Sequence, residues 1–571
     1  MKALIVLTVL ALTLTVAGPV KFSGSTSVYG EYGWVMGDTL VQPRPELRFN
    51  LSPSLSFWGC PLSLDILLST QENNLRQQLD KYRFFLHPSE WLSAAANPPP
   101  FALAIKSIQL GSCNPSWTTY TLSGTPVLGG AFELNPWYVY LAGAAGRSQR
   151  AVPVSDTTDG AYTRMLYSGR FGFGKKEGTH FYLTGVYSTD DVNSLPNNML
   201  GDTLEVVQPK ENHLVGAEFN LNLWNGAFTL GSEVTGSELT RDKRLPVFED
   251  YSIFDNSGEL DKYLGWTIPI LQPRFSSSFD YAWKVRPALN VLETKLNGQF
   301  EYVGTGYQSL SAPNLRNDNL KLGGGIERDF FDHSLSLSLS YGTEHDNLLA
   351  VPVKDTSGKI VVRVLRRKNV TTHYTSWDAS LGLSFPDLPY LQATYSPYSE
   401  RSDDLDSMSR VVSSRTSAAN VISVSAGHSF QTGKVSHSPG ITVSYSDVRG
   451  KGDTTGDYTN WDANLNYGLG FEFPLSLAAS CGYSRSVAGT APDSRLYFDV
   501  TPSYTLFKSW RNSLTLGGTF GSGTRGDARF NSSFPIWKIC DANLGANGVI
   551  YSGGDGKYNE LRLTATLSKS W

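Results

Sequence analysis

The feature that most constrains this chain is a strict two-residue rhythm. In NWDANLNYGLGFEFP, Trp461, Ala463, Leu465, Tyr467, Leu469, Phe471 and Phe473 alternate with Asp462, Asn464, Asn466, Gly468, Gly470 and Glu472. A period of two puts the first set on one face of a strand and the second on the other. ELRFNLSPSLSF repeats it, with Leu47, Phe49, Leu51, Leu55 and Phe57 opposed to Glu46, Arg48, Asn50, Ser52, Ser54 and Ser56. So does SRLYFDVTPSYTLF, with Leu496, Phe498, Val500, Tyr504 and Leu506 against Arg495, Asp499, Thr501, Ser503 and Thr505. These runs exceed the usual five or six residues of a globular strand, and about 9 to 11 tilted residues cross a bilayer.

Composition alone points elsewhere. A mean hydropathy of -0.22 and 18% charged residues resemble a soluble protein, and no later apolar run is long enough for a membrane helix. However, Gly 54, Tyr 28, Phe 28 and Trp 13 beside Met 5 and Cys 4 describe an aromatic, strand-rich chain. A net charge of -4 favours neither nucleic acid nor an acidic partner.

The connections decide between a soluble sandwich and a membrane barrel. Short turns are expected at residues 59–61, 135–136, 175–178, 225–226, 284–287, 330–333, 385–389, 431–434, 473–474 and 534–535. They alternate with longer polar stretches such as 148–160, 190–211, 237–263, 397–418 and 448–459. Sorting loops by parity is the habit of a transmembrane barrel, with short periplasmic turns on one rim and long extracellular loops on the other. The count is about 26 strands, with 24 as the alternative, and includes 117–123 and 390–397 as strands. An even count brings both termini to the short-turn rim. Phe385, Phe473 and Phe534, each followed by proline, mark turns there and suggest an aromatic girdle.

The opening MKALIVLTVLALTLTVAG has Lys2, an apolar stretch from Ala3 to Val16 and small residues at the end. It reads as a secretory signal peptide over 1–17, cut after Ala17, which leaves 18–571 for an all-β, single, antiparallel, up-and-down barrel. At the other end, ELRLTATLSKSW alternates to the last residue. An unpaired edge in hydrocarbon would cost several kcal/mol per backbone group, so this strand must close on VKFSGSTSVYGEYGW.

Leu563, Leu567 and Trp571 in that last strand resemble the closing strand of bacterial outer-membrane β-barrel proteins of the porin-like kind. The resemblance implies that the final aromatic is read by the barrel-assembly machinery and that the protein resides among the lipids of the bacterial outer membrane. Lys569 departs from the apolar residue or tyrosine usual there. Residues 301–320, EYVGTGYQSLSAPNLRNDNL, also look like segments of large outer-membrane barrels of no known activity.

One segment breaks the rhythm. Within 72–100, Leu75, Leu79, Tyr82 and Leu86 fall at helical spacing before Pro98, Pro99 and Pro100. A long loop with a short helix is expected, either folded into the lumen as a constriction or packed on the outer mouth. Cys60 and Cys113 flank it, and the strand count puts both in periplasmic turns. A disulfide there would close a loop of roughly 50 residues, worth about 4 kcal/mol, with two free thiols as the alternative. Cys481 shares the lipid-facing parity, and Cys540 has no assigned role.

Sites for chemistry are not found. GRFGFGKK (169–176) lacks the final Ser or Thr of a phosphate loop and leads into another strand. The histidines have no HExxH or Cys-His spacing, and His428 and His437 face each other only across a hairpin. Asp403, Asp404 and Asp406 lack the EF-hand spacing, and no Gly-x-Ser-x-Gly elbow occurs. No enzyme, cofactor or metal is expected. The inward parity carries both signs at Glu46, Arg48, Asp65, Asp462, Glu472, Arg495, Asp499 and Arg562, which predicts a wide channel for hydrophilic solutes with weak ion selectivity. The alternative is a structural or secretion barrel filled by loops or a partner protein. The sequence identifies neither solute nor oligomeric state.

Overall fold

The computed structural model describes residues 20–37, 45–57, 60–70, 81–86, 104–154, 160–195, 199–200, 204–205, 207–247, 271–348, 353–354, 360–361, 370–405, 411–452, 457–488, 491–537, 539–553 and 556–571. The expected signal peptide lies outside them. The chain folds into a closed antiparallel barrel of 26 strands. The first strand, Val20–Gly37, pairs on one side with Glu46–Phe57 and on the other with the last, Gly556–Ser570, from Ser25↔Ser570 to Gly37↔Tyr558. Every wall strand thus has two neighbours and no edge remains, the condition for backbone in hydrocarbon.

The final tryptophan is part of that seam. Trp571 donates its backbone N–H to Gly24 O and accepts from Gly24 N, both at 3.0 Å, while its ring stacks on Phe22 with centroids 6.1 Å apart. A Cβ on Gly24 would stand 2.7 Å from Ser52 O and 2.9 Å from the Trp571 ring, so the close approach requires glycine.

Two wall strands are broken without leaving the wall. Tyr390–Tyr395 and Tyr398–Leu405 are one strand interrupted at Ser396 and Pro397, where Pro397 O still accepts from Trp377 N–H at 3.0 Å. Val411–Gly427 continues likewise into Phe430–Thr432.

Two segments change places relative to the sequence reading. Residues Lys81–Leu86 form a wall strand between Cys60–Ser69 and Ile105–Cys113, although helical spacing was expected there. Tyr82, Phe84 and Leu86 take the outward parity. The rest of 72–100 lies outside the described residues. Conversely, 117–123 is not a strand, and the exchange of one for the other preserves the even count. It also moves Cys113. Cys60 starts its strand at the short-turn rim opposite Phe57, whereas Cys113 ends its own at the far rim opposite Val127. The Cys113 thiol is free and buried, so the expected Cys60–Cys113 bridge is not formed.

Two turns also shift. Residues 284–287 belong to Ser277–Val291, with the turn at Leu292 and Glu293. Phe534 lies inside Thr524–Ile536, whereas Phe385 and Phe473 do sit in turns. Several other tight turns carry an exposed aromatic at positive φ: Trp137, Trp224, Phe331, Phe507 and Trp537 are 70–85% exposed at φ 42–54°.

The outward face is mostly apolar, as at Leu47, Phe171, Trp283, Leu339, Trp461, Leu516 and Leu563, all at least 40% exposed. A closed barrel with this exterior and polar interior is one that spans a bilayer, and barrels of this kind belong to outer membranes.

Candidate functional site

The candidate site is the lumen. A 26-strand wall encloses roughly 50 Å between backbones, given about 4.8 Å per strand and a tilt near 40°. Wall side chains alone cannot fill that width, so what enters from the loops decides what passes.

Two segments enter. Residues 114–126 and 304–318 fold against the inner wall and carry Trp117, Tyr120, Leu122, Tyr307 and Leu315 into a cluster with Val127, Leu166, Val186, Leu214, Ala282 and Val303. Those wall residues come from six different strands, and one packed unit reaches them all only from the concave side. Tyr120, Leu122 and Tyr307 are fully buried, in a dry core inside an otherwise wet barrel. The segments are stitched together: Tyr307 donates its hydroxyl to Tyr120 O at 2.9 Å, Ser123 N–H to Ser311 O at 3.0 Å, and Ser309 Oγ to Thr121 O at 3.1 Å. Burial pushes the Tyr120 and Tyr307 phenols well above the usual tyrosine range.

Inward polar residues of the wall anchor this plug. Glu233 accepts the Tyr120 backbone N–H at 3.1 Å and pairs with Lys284 at 2.8 Å, their side chains 4% and 14% exposed. Lys284 also bonds the Thr119 hydroxyl and lies 5.2 Å from the Tyr120 ring. Asn212 accepts Leu310 N–H at 3.0 Å, Ser237 donates to Gln308 O at 2.6 Å, and Asp280 accepts Gly306 N–H at 2.6 Å. Beside them Arg170 lies over Tyr182 at 4.6 Å and Tyr140 at 5.6 Å and pairs with Glu218.

The opposite half differs. From Val370 to Ser570 the inward parity carries many short polar residues, such as Ser423, Ser444, Asn464, Ser480, Thr501 and Asn531, and both buried apolar clusters found among the described residues lie elsewhere, in 117–315. Among the described residues, the lumen is packed on one side and lined mainly by hydroxyls, amides and charged groups on the other.

Of the sequence-predicted lining residues, all but Glu472 lie in strands on the parity opposite the exposed apolar residues, and each has a partner. Glu46 bonds Arg48 at 2.9 Å and Ser69 at 3.3 Å, and Asp65 pairs with Arg83 at 2.7 Å. Arg495 pairs with Asp493 at 2.9 Å, Arg562 lies 3.4 Å from Glu31 and 3.1 Å from Glu560, Asp499 accepts from Ser480, and Asp462 accepts from Tyr497 at 3.4 Å. Glu472 sits just beyond its strand at the rim, paired with Lys434 at 2.6 Å. These pairs set opposite charges beside each other along the inner wall.

The features set aside in the sequence are accounted for locally. Asp403 bonds Arg401 at 2.9 Å and Ser414 at 2.6 Å, and Asp404 bonds Arg415 at 2.9 Å, while Asp406 is outside the described residues. His428 and His437 each stack on Phe430. Among the described residues no group of three His, Cys, Asp or Glu side chains could hold a metal ion.

Tyr120, Glu233, Lys284 and Tyr307 were not found from sequence. The even strand count places 117–123 in the wall, and its packing on the lumen side shows otherwise.

No family model matches the sequence, and no curated protein matches it. Among solved structures, the chain is similar to OpdK of Pseudomonas aeruginosa with vanillate (8% identity, TM-score 0.29, 64% of this chain and 94% of that one). It is also similar to OccAB4 of Acinetobacter baumannii (12%, 0.28, 72% and 98%) and to the translocation pore of the P pilus usher PapC (12%, 0.25, 96% and 99%). Likeness at this level carries nothing beyond the barrel geometry already described.

Proposed function

We propose that the chain is a wide, passive outer-membrane pore for hydrophilic solutes, with the path running along the open half-wall beside the plug. The observation that carries this reading is the asymmetry of the lumen. Among the described residues, 114–126 and 304–318 cover one side, while the inner face of Val370–Ser570 offers mainly hydroxyl, amide and charged groups, with tyrosines such as Tyr374 and Tyr497 among them. Neutral polar solutes and small ions of either sign would pass such a face with weak preference. The exposed turn aromatics Trp137, Trp224 and Trp537 would sit at the lipid interface on the short-turn rim.

Planar-bilayer recording of the purified protein tests it. Stable open steps with a cation-to-anion permeability ratio near one support the reading. Electrical silence, persisting after 114–126 is replaced by a short Gly-Ser linker, refutes it in favour of a structural or secretion barrel whose lumen is filled by a partner.

A further inference from the structure

An arginine stands on the lipid-facing side of the wall. In Asn319–Phe330 the outward parity is Leu320, Leu322, Gly324, Ile326, Arg328 and Phe330, and Leu322 and Ile326 are 45% and 43% exposed. Arg328 pairs in register with Leu337 and with Thr294, the first residue after the Leu292–Glu293 turn, so it sits near the short-turn rim. Its guanidinium lies 4.7 Å from the centre of the Phe330 ring and, among the described residues, has no carboxylate partner. Arginine on the lipid face is strongly disfavoured at the bilayer midplane and far less so near the interface, so this depth is where it is retained, within reach of an anionic headgroup.

Arg328 also borders a hollow of ≈ 620 Å³ in the outer wall, lined by Ile326, Leu337, Leu339, Leu381 and Ile422, where the short side chains of Ala379 and Ala393 leave room. A second outer-wall hollow of ≈ 610 Å³, around Trp34, Leu516 and Ile550, has no cation in its lining. An apolar hollow by itself gains little from a lipid tail, because bulk tails are equally apolar. A guanidinium at its mouth changes that, because it can hold a phosphate through two parallel N–H donors while the tail lies in the hollow.

We propose that this patch binds one anionic phospholipid, its phosphate on Arg328 and an acyl chain along Ala379 and Ala393. The site is on the outside of the barrel and does not depend on what crosses the lumen.

Mass spectrometry of the intact folded protein, released from detergent after addition of phosphatidylglycerol, tests the proposal. The expected result is one retained lipid, with diacylglycerol of the same tails retained about tenfold less. Arg328→Gln should lower phosphatidylglycerol retention by about the same factor, and Ala393→Phe, which fills the hollow and leaves the arginine, should also lower it. Gel mobility before and after boiling verifies that each variant is folded. Equal retention by wild type and Arg328→Gln would overturn the proposal, and so would full displacement by millimolar inorganic phosphate, which would make the hollow irrelevant.

Discussion

Removing the Glu233 carboxylate should release the plug without unfolding the wall. In the native lumen this group satisfies the Tyr120 amide at 3.1 Å and compensates Lys284 at 2.8 Å. Glu233→Ala takes the paired carboxylate from a mostly buried ammonium, with Glu218 and the cross-strand Glu301 still nearby, a change that costs up to about 3–5 kcal/mol. The Tyr120 amide loses its acceptor as well, a further contribution of about 1–3 kcal/mol that overlaps the first. The double variant Glu233→Leu, Lys284→Met removes both charges, so the stranded-ion cost disappears and only the orphaned amide remains. The single variant should therefore be the more damaging by about 2 kcal/mol, although it changes fewer residues. Amide hydrogen exchange over 117–123 reads this directly. A loss of about 3 kcal/mol accelerates exchange by roughly a hundredfold if the plug opens locally, while protection in Gly556–Ser570 stays unchanged. Unaltered protection at 117–123 in Glu233→Ala would refute the reasoning. Faster exchange in the double variant than in the single would refute it too.

Three further outcomes are expected. Gly24→Val should prevent closure of the seam, since its Cβ would meet Ser52 O and the Trp571 ring at 2.7 and 2.9 Å, and refolding into vesicles should yield little heat-modifiable barrel. Because burial raises the Tyr120 and Tyr307 phenols, the packed plug holds them neutral where free tyrosine ionises. Its stability is full below about pH 10 and declines as pH rises further, so conductance should increase reversibly on alkaline titration, and Tyr307→Phe should move that onset upward. With Cys113 free at the opposite rim from Cys60, non-reducing and reducing gels of the unfolded protein should show the same mobility, and a faster non-reduced band would contradict the register.

What was legible in the sequence follows what the bilayer enforces. Hydrocarbon demands an apolar residue at every second position, so Leu465 and Leu563 announce both their strands and the faces on which their neighbours Asn464 and Arg562 must lie. The lumen makes no such demand. Trp117, Tyr120 and Leu122 are apolar because they pack on one another and on Leu166 and Leu214, far away in sequence, and only Tyr120 and Leu122 keep the spacing of two that a lipid-facing strand has. KYRFFL failed in the opposite sense. Its six residues are too few to display a period clearly, and Tyr82 and Leu86 continue a helical spacing begun at Leu75 and Leu79. The cysteine assignment inherited that error, since moving one strand transfers every later residue before the compensating one to the other rim.

The wall's register also determines where the plug can sit. Asn212, Glu233, Asp280 and Lys284 point inward only because the ladder pairs Glu233 with Lys284 and Asn212 with Leu239, and each is held by a neighbour whose outward residues meet lipid. Shifting Phe228–Thr240 by one residue would turn Val234 inward and Glu233 toward hydrocarbon, losing the plug's anchor and placing a carboxylate in lipid together. The two failures are coupled, so the lipid-facing pattern that specifies the barrel also positions the anchors of the plug inside it. The loops need supply only the small polar turns and the buried tyrosines that meet those anchors. Among the described residues the opposite half-wall has no comparable anchors; its inward residues are mostly short or paired, in keeping with the proposed path on that side of the lumen.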